Sequence, residues 1–131
     1  MIVVDTNVIA YLWLPGVGTA SAERLLREDP EWCAPLLWRS ELRNVLATQL
    51  RKRRLSLDLA IRVVEGAQEQ MRGREFDVPS ESVLRVASAS RCSAYDCEFV
   101  SLAHELGVPL YTNDRALLRA FPDVALPPPG D

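Results

Sequence analysis

The 131-residue chain reads as an α/β protein with a small, mostly parallel sheet flanked by helices. Three observations predict this. Short apolar runs that suit buried strands alternate with longer segments whose apolar residues recur at helical spacing. Twice, at Ile2-Val3-Val4-Asp5 and at Leu110-Tyr111-Thr112-Asn113-Asp114, an apolar strand ends in polar residues and passes straight into a helix. The share of helix is high, which leaves room for only a small sheet. Strands alternating with helices pair in parallel and carry helices on both faces.

The elements follow in order. Ile2-Val3-Val4 is a short buried strand, and the apolar run resumes from Val8 to Leu14 as a helix starting at Thr6. Pro15 to Gly18 is a loop. Thr19 or Ser21 is expected to cap a second helix that runs to about Glu28. Glu31 to Ala34 reads as a second strand, ended by Pro35. A long helix follows from about Leu37 to Arg54, with Leu42, Val45, Leu46 and Leu50 at i, i+3, i+4 and i+8.

Ser56 caps the next helix, Leu57 to about Met71, with Leu59, Val63 and Ala67 among its apolar positions. Gly73 and its charged neighbours form a turn, and Phe76 to Pro79 is a short extended piece. A helix starts at Ser80 and runs to about Arg91. Another opens at Ser93-Ala94-Tyr95-Asp96, with Tyr95, Phe99, Leu102, Ala103 and Leu106 in phase, and ends at Gly107. Pro109 to Thr112 is a strand, Arg115 to Phe121 a short helix, and Val124 to Leu126 a last strand. Residues 127–131 read as an exposed, proline-rich tail on a single domain covering 1–131.

Composition narrows the function. With 48% apolar and 25% charged residues, the chain is globular rather than disordered. No apolar run approaches the roughly 18 residues that span a bilayer, and the N-terminus lacks a basic leader, so the expected location is cytoplasmic. Cys33, Cys92 and Cys97 are too few and too scattered for a disulfide scaffold. Together with His104, the chain's single histidine, Cys92 and Cys97 match no zinc spacing, and a fourth ligand is lacking. The net charge of −3 does not mark a nucleic-acid binder, yet fourteen of the fifteen basic residues are arginine. They cluster at Arg51-Lys52-Arg53-Arg54, with Arg39 and Arg43 on the same helix. Such a run suits a solvated helix end, and phosphate contact is the second reading.

Four carboxylates stand in telling places. Asp5 and Asp114 each follow a strand and precede a helix, so both project from one edge of a parallel sheet, the edge where open α/β sheets bind ligands. Each also suits a helix N-cap. Asp96 lies in the first turn of its helix, three residues after Ser93, as in a capping box. Glu41 borders the apolar stripe of the long helix, where a carboxylate either reaches outward or faces something cationic. Four acids converging on one pocket repel one another and titrate upward unless cations offset them. Hard divalent ions with oxygen ligands, Mg²⁺ or Mn²⁺, suit such a site. Carboxylate-held metals with open positions are the equipment of phosphodiester hydrolysis.

Val3-Val4-Asp5-Thr6-Asn7, Ser40-Glu41-Leu42, Ser93-Ala94-Tyr95-Asp96 and Leu110-Tyr111-Thr112-Asn113-Asp114-Arg115 resemble, in order and spacing, the signatures of PIN-domain ribonucleases. The nearest likeness is to VapC-type toxins of toxin–antitoxin pairs, and it covers Met1 to about Phe121. The resemblance implies a PIN-like three-layer fold and Mg²⁺- or Mn²⁺-dependent cleavage of single-stranded RNA. It makes Asp5, Glu41, Asp96 and Asp114 the metal-binding catalytic residues, with Thr112 and Asn7 as supporting groups. Arg39, Arg43 and Arg115 would hold the RNA backbone. A homodimer and a cognate antitoxin partner are implied as well. Glu98, two residues after Asp96, should point elsewhere on its helix.

Two other readings compete. A phosphatase of the haloacid-dehalogenase type also places an aspartate after its first strand. It needs a second aspartate two residues later, where Asn7 stands, and a downstream lysine that this chain does not supply. A non-catalytic RNA- or protein-binding module would use the arginine clusters but leaves Glu41 and the paired strand-end aspartates without a reason.

Overall fold

The computed structural model describes residues 1–130. Five strands, β1 (Ile2–Val4), β2 (Trp32–Pro35), β3 (Glu75–Phe76), β4 (Leu110–Tyr111) and β5 (Ala125–Leu126), form one sheet in the order β3-β2-β1-β4-β5. Every pairing is parallel, with Val3 opposite Cys33 on one side and Leu110 on the other. The sheet is therefore wholly parallel. β3 is the strand within the extended piece foreseen at residues 76–79, shifted one residue earlier.

The strand order explains the layers. Helices α1 (Thr6–Trp13), α2 (Thr19–Glu28), α3 (Leu37–Arg51) and α4 (Leu57–Gln70) lie on connections that step from β1 to β2 to β3. Helices α5 (Ser80–Ser88), α6 (Ala94–Leu106) and α7 (Arg115–Ala120) lie on connections that step the opposite way. Right-handed crossovers running in opposite directions put their helices on opposite faces. The packing agrees: α1 meets α2, α3 and α4, while α6 lies across β1, β2 and β4 with α5 against it. The sheet is buried on both faces, which is why Ile2, Val3, Val4, Trp32, Cys33 and Ala34 form an unbroken apolar set rather than an alternating one. None of the helices among the described residues is long and apolar enough to cross a membrane.

Local chemistry shifts several boundaries from the sequence expectation. α3 stops at Arg51, not Arg54, in a Schellman closure. Arg53 adopts φ +56°, its N–H donates to the Leu50 carbonyl at 3.0 Å, and that of Arg54 donates to Gln49 at 3.0 Å. Neither Thr19 nor Ser21 caps α2. Gly18 holds that position, while the Thr19 hydroxyl accepts from Gly16 and donates to the Tyr11 carbonyl, tying the loop to α1. α5 ends at Ser88 instead of Arg91, followed by a turn in which the Ser90 hydroxyl accepts from the Cys92 N–H at 3.2 Å.

Pro35 is the last residue of β2 rather than the residue after it. The ladder to β3 takes its donors from Ala34 and Leu36, so the missing proline N–H leaves no gap. Leu59 faces solvent and Ala60 takes the buried place on α4. Gly66 lets α4 approach α1 closely: a Cβ there would stand 2.6 Å from the Trp13 ring, whose indole N–H is held by Gln70 at 2.7 Å. The tail is not free. The Ser21 hydroxyl donates to the Pro129 carbonyl and Arg24 to that of Gly130, which fastens the tail to α2. Asp131, the end of the expected tail, lies outside the described residues.

Candidate active site

β1 is the point where the strand order reverses. The chain leaves β1 toward β2 and leaves β4 toward β5, so a crevice opens beyond the C-terminal ends of β1 and β4. A pocket of about 410 Å³ occupies it. The four expected acids all line this pocket, together with Asn7. Asp5 follows β1, Glu41 sits in the second turn of α3, Asp96 in the first turn of α6, and Asp114 just after β4. Asp5, Asp96 and Asp114 approach at helix N-terminal ends, where the backbone dipole favours negative charge, and Glu41 lies one turn further along its helix.

Asp5 is the innermost acid, 8% exposed. Its N–H continues the ladder to the Tyr111 carbonyl at 3.1 Å, so the strand pairing itself fixes where the side chain emerges. One carboxylate oxygen accepts from the Val8 N–H at 3.0 Å, capping α1, and the other accepts from the Thr112 hydroxyl. Thr112 is fully buried, and its oxygen accepts in turn from the Asp114 N–H at 3.0 Å. One hydroxyl thus couples the two strand-end acids. Burial pushes the Asp5 carboxyl up to about 6. Its two hydrogen bonds oppose that rise, and the charges of Asp114 and Glu41 add to it.

Glu41 is half-buried and accepts from the Thr6 hydroxyl at 2.7 Å. Desolvation raises its pKa, the Thr6 bond opposes the rise, and the charges of Asp96 and Glu98 reinforce it. Asp96 is raised by desolvation and then by Asp114, with the Ser93 hydroxyl opposing. The capping box is half formed: Ser93 accepts from the Asp96 N–H at 3.1 Å. Asp114 caps α7 by accepting from the Leu117 N–H at 3.1 Å. The upward shifts of Asp5, Glu41 and Asp96 come first from desolvation, the neighbouring carboxylates add to them, and no basic side chain lines the pocket to offset them.

An all-oxygen donor set with uncompensated negative charge fits a hard divalent cation. Asp5, Glu41, Asp96 and Asp114 are the residues that could hold it. Among the described residues no three of them stand in a ready-made cage; the Asp5, Glu41 and Asp114 carboxylates are each bonded to a hydroxyl or a backbone N–H.

The three arginines expected at the RNA backbone lie outside the pocket lining. Arg39 does not line the pocket. Its guanidinium grips Glu75 through two hydrogen bonds of 2.6 and 2.7 Å, fastening α3 to β3, and the pair holds the Glu75 carboxyl below its ordinary range. Arg43 and Arg115 are exposed and outside the pocket lining. Glu98 is outside it too, although its charge reaches Glu41. His104 stands far along α6, with its ring 3.8 Å from Asp123.

Four lining residues escaped the sequence reading as site groups: Thr6, Ser40, Asn44 and Tyr95. Thr6 and Ser40 directly adjoin an acid, and Asn44 lies one turn after Glu41, which is the signal that could have found them. Tyr95, expected in the apolar phase of α6, is 65% exposed. It lies one turn ahead of buried Phe99, so it overhangs the end of the core and faces the pocket instead.

Comparison with known proteins places this geometry in a family. A curated relative, Ribonuclease VapC3 of Pyrobaculum aerophilum, is 29% identical over 129 residues, covering 96% of this chain and 98% of its own. The crystal structure of PAE2754 from Pyrobaculum aerophilum superposes with a TM-score of 0.75 at 22% identity, over 95% of this chain and 81% of that one. A toxin–antitoxin complex from Klebsiella pneumoniae shares the fold with a TM-score of 0.72 at 14% identity, each chain fully covered. The PIN domain model matches residues 2–122, a span that holds all four acids of the pocket, and by that match the chain belongs to the PIN domain family.

Proposed function

We propose that this protein is a metal-dependent endoribonuclease acting on single-stranded RNA, or on single-stranded parts of structured RNA, and that it is the toxin of a VapBC-type pair. The observation that carries this reading is the meeting of Asp5, Glu41, Asp96 and Asp114 from four separate chain segments in one pocket without a basic residue. Membership of the PIN domain family and the likeness to a ribonuclease support it.

Bound Mg²⁺ or Mn²⁺ would supply Lewis acidity at the phosphate and activate water. The chain's own contribution is positional. Val8 and Thr112 hold the Asp5 carboxylate from two sides, so its remaining lone pairs face the crevice. Thr6 holds Glu41 in the same way from α1. The half-buried setting of Glu41 and Asp96 keeps bulk water from screening them, which strengthens their hold on a cation.

A cognate antitoxin partner is part of the proposal, supported by the toxin–antitoxin complex that shares this fold. So are a homodimer and a cytoplasmic location. The alternative of a pure binding module predicts binding without a metal requirement.

The test is cleavage of a mixed single-stranded RNA pool with Mg²⁺, with Mn²⁺ and with EDTA, beside the Asp5→Asn variant. Cleavage is expected only with metal, and orders of magnitude more slowly in the variant. Cleavage that persists in EDTA, or an Asp5→Asn variant as fast as the parent, would overturn the reading.

A further inference from the structure

We infer that Tyr95 is a stacking platform for a nucleobase beside the scissile phosphate, and so a residue that holds the substrate. The inference rests on the ribonuclease reading above. Tyr95 is 65% exposed yet lines the same pocket as Asp96, its immediate neighbour in the first turn of α6. Consecutive residues on a helix diverge by about 100°, so a strand whose phosphate lies at Asp96 brings a flanking base toward the neighbouring ring.

The charge of the pocket lining favours such a platform. The pocket presents four carboxylates and no cation to a polyanion, and the chain as a whole carries −3. The dense basic run at Arg51 to Arg54 begins ten residues beyond Glu41 on α3, about 15 Å along the helix axis. A bound divalent ion would hold the reacting phosphate, but the pocket lining supplies no basic side chain for the flanking nucleotides, whose hold then comes from neutral contacts. Base–aromatic stacking is such a contact, tolerant of sequence and independent of ionic strength. Asn44 and Ser40 on the α3 side of the pocket add neutral hydrogen-bonding groups that suit a base edge.

The experiment pairs a protein change with a substrate change. Parent, Tyr95→Ala and Tyr95→Phe are assayed on a short single-stranded RNA cut at one site, and on copies with an abasic nucleotide on either side of that site. Tyr95→Ala is expected to lower kcat/KM about tenfold, mainly through KM, within the range stacking supplies. The loss should be the same at 50 and 200 mM KCl, and Tyr95→Phe should cleave within about twofold of the parent. The abasic nucleotide at one flank should slow the parent by a similar factor and leave Tyr95→Ala almost unaffected. Since Tyr95 is mostly exposed, Tyr95→Ala should melt within a few degrees of the parent.

Losses that multiply in the doubly changed pair, a Tyr95→Ala variant as active as the parent, or a loss that disappears at high salt would each overturn the platform while leaving the nuclease standing. A parent that cleaves no RNA removes the ribonuclease reading and the platform with it.

Discussion

Replacing Asp5 by Asn should stabilise the metal-free fold at neutral pH, although it abolishes the innermost acid of the site. Burial is the largest cause lifting the Asp5 carboxyl from 3.8 to about 6. Because the folded value lies above the unfolded one, the fold is most stable with the proton on, below pH 4, and loses stability as pH rises through 6. The difference is worth about 3 kcal/mol by pH 7, of which about 2 kcal/mol accrues between pH 4.5 and 7. Asparagine can still accept from the Val8 N–H but gives the Thr112 hydroxyl one acceptor fewer, a loss of about 1 kcal/mol. The variant should therefore gain about 2 kcal/mol at pH 7 and almost nothing at pH 4.5. Urea unfolding of both proteins in EDTA at the two pH values measures this. A parent–variant difference that does not change with pH would refute the account, because it would mean that Asp5 ionises as freely in the fold as in the unfolded chain.

Thr112→Val keeps the shape and removes the hydroxyl that joins Asp5 to the Asp114 backbone. It should destabilise by about 1–3 kcal/mol and slow RNA cleavage at least tenfold, with Thr112→Ser recovering most of both in melting and initial-rate assays. Arg39→Ala breaks the grip on Glu75 and should cost about 1 kcal/mol, the pair being partly screened by solvent; cleavage rates should stay within about twofold, and a large loss of RNA affinity would return Arg39 to the substrate. Gly66→Ala drives a methyl group into the Trp13 ring. Overpacking should outweigh the helix propensity alanine gains, for a net loss of about 1–2 kcal/mol seen as a lower Tm.

The parallel sheet was legible because both of its faces are covered. A strand buried on two sides must be apolar throughout, and Ile2-Val3-Val4 can be little else. Edge elements were less so. β3 has two residues, Glu75 and Phe76, whose side chains are only half-buried, and Glu75 is in the sheet because Arg39 and Trp38 hold its carboxylate. No local pattern announces a strand that short. Helix ends were misplaced where the stop came from backbone geometry: Arg53 takes a left-handed turn that usually signals itself with glycine. Tyr95 was misread for a related reason. Helical phase gives the face of a residue, but not whether the core extends far enough along the axis to cover it.

The acids were legible for the opposite reason, since capping and convergence on the pocket turn out to be compatible. A carboxylate has about four lone-pair directions, and a cap uses one. Asp5 spends one oxygen on Val8 and one bond on Thr112, and Asp114 spends one on Leu117. The cap fixes the rotamer, and the lone pairs left over point where strand and helix ends have already gathered. In a parallel sheet the helices that follow the strands begin at the same edge, so residues chosen to start helices are delivered to one crevice by topology. Glu41 is the exception that shows the rule's reach. It caps nothing, lies one turn inside α3, and is held by Thr6 from another element. Its place beside the apolar stripe hinted at a special role, but only the pairing of β1 with β2, which sets α3 beside α1, brings its carboxylate within 2.7 Å of that hydroxyl.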